Sequence, residues 1–404
     1  MRKVTVGTVD TTPKALELIT GALASGRISG GALVSRLEKA FAAYHGIRHC
    51  VAVNTGTAAD TIAAAVLLEN GSKLGDEIIL PALTFISVAN AIIHAGLTPV
   101  FADVDVDTYN VTAKTLARVI TNRTRGLMPV HLFGRPAPMD EIMDLAAEHK
   151  LAVIEDAAEA HGARYKGRLV GTIGLMGTFS FYVAHIITTG EGGAIITDDD
   201  ELDTLLRSVR AHGRACSCDV CRLNTGNGSL CEKRFLEDED DAMSDGRFRF
   251  ERIGYSAKMN DLEAALGLDQ IERLDLIIAK RRHNMKELTF GLKPFTEHLV
   301  LFDDRNEDEL ISPLVYPIVI RKGASFSRKQ ITRFLEDHGI ETRPMFGSIP
   351  TQQPAYRYLG FKPGDFPNAE FVGASGFYIG VHQNLSKDDM DWVINAFDDF
   401  FKLL

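Results

Sequence analysis

Four cysteines, Cys216, Cys218, Cys221 and Cys231, follow the spacing C-x-C-x2-C-x9-C. Four thiolates so placed can hold a 2Fe–2S or 4Fe–4S cluster, or a zinc ion. In a cytosolic setting such clustering reads as ligation before it reads as disulfides. Upstream, the stretch 177–193 carries Ser180, His185 and Glu191-Gly192-Gly193, and no lysine occurs from 167 to 232. Imidazole cannot make the C=N link that a primary amine makes with an aldehyde. It can still take a proton off carbon. A third feature is Asn54-Thr55-Gly56-Thr57-Ala58-Ala59, which follows a strand-like run and opens a helical one. Backbone N–H groups and the helix dipole at such a turn can face a phosphate. An ordinary capped helix start would show the same residues.

The elements that must hold these groups alternate in type. Apolar runs of strand length fall at 50–53, 77–80, 98–101, 126–130, 152–154 and 194–197, with helical patterns at 57–68, 85–94, 139–149 and 198–212 between them. That alternation predicts an α/β domain around a mostly parallel sheet. Cys50 sits inside the first apolar run and reads as core. The stretch 215–252 has no apolar period and contains the acidic run 237–241, so it reads as a loop insertion with a solvated face. A helical pattern from 260 to 288 (Leu262, Leu266, Ile271, Leu274, Ile278) then bridges into a smaller C-terminal α+β domain. The expected division is a large domain over 1–283, carrying the insertion 215–252, and a small one over 284–404.

Composition limits the function classes. The chain has 404 residues, 45 % hydrophobic and 24 % charged, ample for a large core. A net charge of −10 argues against a nucleic-acid-binding surface. No apolar stretch approaches the roughly 20 residues that span a bilayer, and residues 1–7 do not resemble a signal peptide. A soluble, cytoplasmic protein is the expectation.

The order Ser180, His185, Glu191-Gly192-Gly193 resembles the signature S-F-x-x-x-K-x-x-x-x-G-E-G-G of the sugar aminotransferases (DegT/DnrJ/EryC/StrS-like), with His185 in the lysine slot. The resemblance runs from 25 to 394. It implies a pyridoxal-phosphate fold-type I, aspartate aminotransferase-like architecture and a homodimer with sites at the subunit interface. It further implies that Gly56, Thr57 and Ala58 grip the cofactor phosphate with Ser180, and that Phe85 stacks on the pyridine ring. Asp156 would keep the ring nitrogen protonated, and Glu159, in a slot often filled by Gln, would lie near the ring oxygen. Ser256 stands where relatives often carry an Asn that reaches the partner subunit's cofactor phosphate. His131, His161, Arg343 and the segment from Gln353 to Tyr356 match family positions near the site; Arg343 could pair with a sugar-nucleotide phosphate.

With no lysine to tether it, the cofactor implied is the amine form, pyridoxamine 5′-phosphate (PMP), bound non-covalently, with His185 as base. The cysteine-rich insertion resembles that of the branch that deoxygenates CDP-4-keto-6-deoxyglucose at C3. That resemblance puts an iron–sulfur cluster ahead of zinc, and 2Fe–2S ahead of 4Fe–4S, on Cys216, Cys218, Cys221 and Cys231. The partners implied are a nucleotide-linked 4-keto sugar and a separate electron-transfer reductase or ferredoxin, since no G-x-G-x-x-G fingerprint follows a first strand. Two alternatives stay open: a cluster-free PMP-dependent 3-dehydratase, and a nucleotide-sugar aminotransferase homologue with structural zinc.

Overall fold

The computed structural model describes residues 2–26, 28–216, 231, 248–304, 307–346 and 349–404. Helices α1 (Pro13–Ala24) and α2 (Ala32–His45) lead into β1 (His49–Val53), α3 (Gly56–Glu69), β2 (Glu77–Pro81), α4 (Ile86–His94) and β3 (Thr98–Ala102). The chain continues through α5 (Ala113–Ala117), β4 (Thr124–Leu127), α6 (Met139–His149) and β5 (Ala152–Asp156). A short hairpin, β6 (Arg164–Tyr165) and β7 (Arg168–Leu169), precedes β8 (Met176–Ser180), β9 (Gly193–Thr197) and α7 (Asp200–Arg210). Seven strands form one sheet in the order β1-β9-β8-β5-β4-β2-β3. All run the same way except β9, which is antiparallel to both β1 and β8. Strands β1, β2, β5, β8 and β9 are buried nearly throughout, as a sheet covered by helices on both faces requires.

The expected elements are present, with two differences. Strand β8 coincides with the start of the signature stretch, whose Gly177-Thr178-Phe179-Ser180 run carries small and polar residues that mask a buried strand. The helical pattern at 260–288 is two helices, α8 (Asp261–Ile271) and α9 (Leu274–Leu292). At the break Arg273 leaves the helical region (φ −108°, ψ 5°), and its guanidinium donates to Asp269 and Asp10 at 2.9 and 2.8 Å. Of the expected apolar period, Ile271, Leu274 and Ile278 are buried across the break, while Leu262 and Leu266 are half-buried.

The C-terminal part holds β10 (Leu299–Val300), β11 (Glu309–Leu310), β12 (Tyr316–Ile320), α10 (Arg328–Asp337), β13 (Thr342–Pro344), α11 (Pro367–Ser375), β14 (Gly376–Ile379) and α12 (Lys387–Lys402). Four of these strands make an antiparallel sheet, β10-β12-β14-β13, while β11 crosses to pair with β6 of the first part. We propose the two-domain division on this topology; a boundary at 283/284 falls within α9, which then serves as the bridge. The N-terminal segment also ties the parts together. Val4 bridges Ile340, and the Val6 N–H donates to Glu341 at 2.9 Å.

Candidate active site

The carboxyl ends of β1, β5 and β8 open into one cleft of about 830 Å³, where a parallel α/β sheet ordinarily places its ligand. Gly56, Thr57, Phe85, Asp156, Glu159, Ser180 and His185 all line it. Seven residues scattered over about 130 positions of sequence therefore meet at one place.

One end is a cradle for an anion. Thr55 caps α3, its Oγ1 accepting the Ala58 N–H at 3.0 Å. Ala58 therefore spends its N–H on the cap and does not line the cleft, whereas Gly56 and Thr57 present theirs at the helix start. Glycine is required at 56 because a Cβ there would meet Ser180 Cβ at 2.4 Å. That close seat brings the Ser180 hydroxyl against the helix N-terminus. Gly193 does the same from below, since a Cβ would meet the Thr55 carbonyl oxygen at 2.6 Å. The donor set fits a phosphate.

The other end is acidic and half apolar. Asp156 ends β5, is 4 % exposed, and accepts the Ala158 N–H at 2.9 Å. Burial raises its carboxyl to about 6, while that N–H and His131 pull the other way. Glu159 is raised to about 7, first by burial and also by Asp156. One Glu159 oxygen accepts the N–H of Phe133 at 2.8 Å. Phe133 holds a left-handed φ of 56°, so Glu159 fastens a strained turn as well as facing the cleft. Phe85 stands 58 % exposed at the entrance, its ring 6.5 Å from that of Phe346. An aromatic face, a carboxylate and an anion cradle in one cleft fit a phosphorylated pyridine.

His185 lies in the turn between β8 and β9. Its Nδ1 is 3.0 Å from the Ser180 carbonyl oxygen. A carbonyl only accepts, so Nδ1 carries the hydrogen and Nε2 keeps its lone pair. Desolvation lowers the imidazole to about 4 against the Ser180 hydrogen bond, with the Arg281 guanidinium adding to the fall. The ring is thus neutral near pH 7. Gln270 of α8 clamps the turn, its amide accepting the Thr188 N–H at 2.9 Å and donating to the Thr188 carbonyl at 2.8 Å. No lysine lines the cleft among the described residues.

Other expected positions divide. Arg343 and Gln353 line the cleft, and Arg343 donates through Nε and Nη2 to Glu341 at 3.1 and 2.9 Å. His131 is fully buried off the cleft: Nδ1 accepts the Ala137 N–H at 2.9 Å and Nε2 lies 3.0 Å from Glu155. His161 is buried among Phe41, Phe179 and Phe181 with neither ring nitrogen bonded. Neither lines the cleft. Ser256 sits away from the cleft, bridged to Ala211. Cys50 is buried in β1. Cys216 and Cys231 are half-buried, while Cys218, Cys221 and the acidic run 237–241 lie outside the described residues. Sequence reasoning passed over Asp60, Tyr182, Glu191 and Tyr378, which line the cleft too. Asp60 had a signal: it is the lone charge before Glu69 in an otherwise apolar helix.

Comparison with known proteins agrees with this geometry. The chain is 35 % identical over 382 residues to dTDP-4-dehydro-2,6-dideoxy-D-glucose 3-dehydratase of Saccharopolyspora spinosa, covering 93 % of this chain and 81 % of the relative. It is 36 % identical over 375 residues to GDP-perosamine synthase of Caulobacter vibrioides, covering 92 % and 90 %. The solved structure of E. coli GDP-4-keto-6-deoxy-D-mannose-3-dehydratase with bound hydrated PLP superposes with a TM-score of 0.85 at 28 % identity, covering 98 % and 99 %. Among the described residues no helix is long and apolar enough to cross a membrane. Residues 10–398 match the DegT/DnrJ/EryC1/StrS aminotransferase family, and the chain, with its sheet, cleft and signature turn, belongs to that family.

Proposed function

We propose that the protein is a PMP-dependent enzyme that removes the C3 oxygen of a nucleotide-linked 4-keto sugar, assisted by an iron–sulfur cluster. The observation that carries the reading is His185, whose unprotonated Nε2 stands in a cleft that no described lysine enters. Similarity to two sugar 3-dehydratases supports it. Similarity to GDP-perosamine synthase favours an amino-transfer reading, which the missing amine opposes.

Gly56, Thr57 and Ser180 would hold the cofactor phosphate, Phe85 would cover the ring, and Asp156 would pair with its nitrogen. Bound there, PMP would supply an amine for the C4 ketone and a ring that accepts electron density. His185 Nε2, neutral and fixed by the Ser180 carbonyl, takes a proton from the carbon beside that amine. The C3 hydroxyl leaves as water. In balance, one sugar gains two electrons and two protons and loses one water. Cys216, Cys218, Cys221 and Cys231 would hold the cluster, which would supply one-electron transfer from a separate reductase or ferredoxin. A homodimer in which Ser256 reaches the partner subunit's cofactor is part of this proposal. Arg343 could meet a nucleotide phosphate by exchanging Glu341 for it.

The test is product analysis. Anaerobically prepared protein with PMP, a nucleotide-linked 4-keto-6-deoxyhexose and a one-electron donor should yield the 3-deoxy-4-keto sugar, using two electrons per sugar. Amination at C4, or dehydration at full rate without a donor, would overturn it.

A further inference from the structure

Behind the cleft's acidic end lie two carboxylates. Asp60, one turn into α3 from Gly56, is 3 % exposed and lines the same cleft as Asp156. Residues 59–67 of that helix are all buried. Thr178 links the pair: its hydroxyl donates to Asp60 Oδ1 at 2.7 Å, and it is the cross-strand partner of Asp156. Two like carboxylates in a desolvated site cannot both ionise cheaply, so the site keeps a proton.

The groups around the pair do not supply a compensating charge. From the loop before α6, only a protonated His131 would offset the pair, and its Nδ1, which accepts the Ala137 N–H, has no room for the second hydrogen that the charged form needs. Glu155 of β5 turns away to the N–H groups of Gly171, Ile173 and Gly174. Glu159, after β5, adds negative charge, and His185, after β8, is neutral. Among the described residues lining the cleft Arg343 is the only arginine or lysine, and it is paired with Glu341. Burial and Asp156 together push Asp60 upward, and burial does the same to Asp156.

We propose that Asp60 and Asp156 form a dyad that shares one proton in the free protein and gives it up when a cationic ring nitrogen is seated against Asp156. Asp60 is thus a positioning residue acting through Asp156, and the inference rests on the PMP reading above. On binding, a carboxyl O–H bond breaks. Its proton goes to solvent if the ring arrives protonated, or forms the ring N–H bond if it arrives neutral. In either case the wild type brings one proton more to the reaction than a protein with Asp156 alone.

Calorimetric titration of the cofactor-free protein with PMP near pH 7, in buffers of differing ionisation enthalpy, counts that proton. The wild type should release about one proton more per PMP than Asp60→Asn, or take up one fewer. Equal proton counts would overturn the dyad. Thr178→Val, which removes the hydroxyl that steadies ionised Asp60, should move the pH at which the extra proton disappears upward; an unmoved profile would overturn it independently. Failure of the wild type to bind PMP at all would instead sink the cofactor reading, so the two failures are distinguishable.

Discussion

His185 combines two properties that a base at carbon needs. Its Nδ1 is committed to the Ser180 carbonyl, which fixes the tautomer, and desolvation keeps the ring neutral. The folded value, about 4, lies below the ordinary 6.5, so the base is lost only as pH falls through about 4. The acid limb of the rate profile should therefore lack an inflection near 6.5 that belongs to this ring; finding one there, abolished by His185→Asn, would place the imidazole in water. His185→Lys introduces the missing amine. It should abolish dehydration, a loss of at least about a hundredfold as for a positioned base, and should leave the cofactor covalently attached after borohydride treatment. Unchanged dehydration would remove His185 from the reaction. This residue was fully legible in the sequence, because the signature around it fixes which slot it occupies. Asp60 left only a faint trace, a lone charge in an apolar helix, because an aspartate inside a helix looks solvated until residues 59–67 are seen to be buried.

The anion cradle is a property of α3 and the strands beneath it. Thr55 caps the helix, and Gly56 and Gly193 let β8 and β9 come within contact of its first turn. Gly56→Ala places a methyl on Ser180, so either the hydroxyl or the helix start must move. PMP affinity measured by equilibrium dialysis should fall at least tenfold with the fold retained by circular dichroism; an unchanged constant would mean that the phosphate lies elsewhere. Thr55→Ala removes the cap and should cost about 1 kcal/mol of stability, read as a lower denaturation midpoint in urea. A midpoint equal to the wild type's would show that water caps the helix equally well. Strand and helix periods announced most of these elements. The exceptions have physical causes: in β8 the buried Met176 and Phe179 are separated by Gly177 and Thr178, which leaves no apolar run, and the break at Arg273 is held by ion pairs that no local period records.

At the scale of the molecule, the cleft exists because the C-terminal part closes over the sheet edge. Arg343, Phe346 and Tyr378 form one wall, and the N-terminal segment passes the His185 turn, Gly7 lying against Ala184. The cysteine-rich insertion leaves and rejoins the chain near α7, which starts directly after β9. If the proposed cluster is present, replacing Cys218 with Ser should remove visible charge-transfer absorption, iron and acid-labile sulfide, while PMP still binds. Retained iron and sulfide would exclude that ligand, and zinc in place of iron would favour the alternative of a structural metal.

The sequence by itself determined the α/β class and pointed to the turn at Gly56, to Asp156 and Ser180, and to the exchange of lysine for His185, since each is written in local order and spacing. Only the tertiary structure decided that His131 and His161 are buried off the cleft and that Asp60, bonded to Thr178, lines it together with Asp156. Those outcomes depend on burial and on hydrogen bonds between residues far apart in the chain, and neither is encoded in any single stretch.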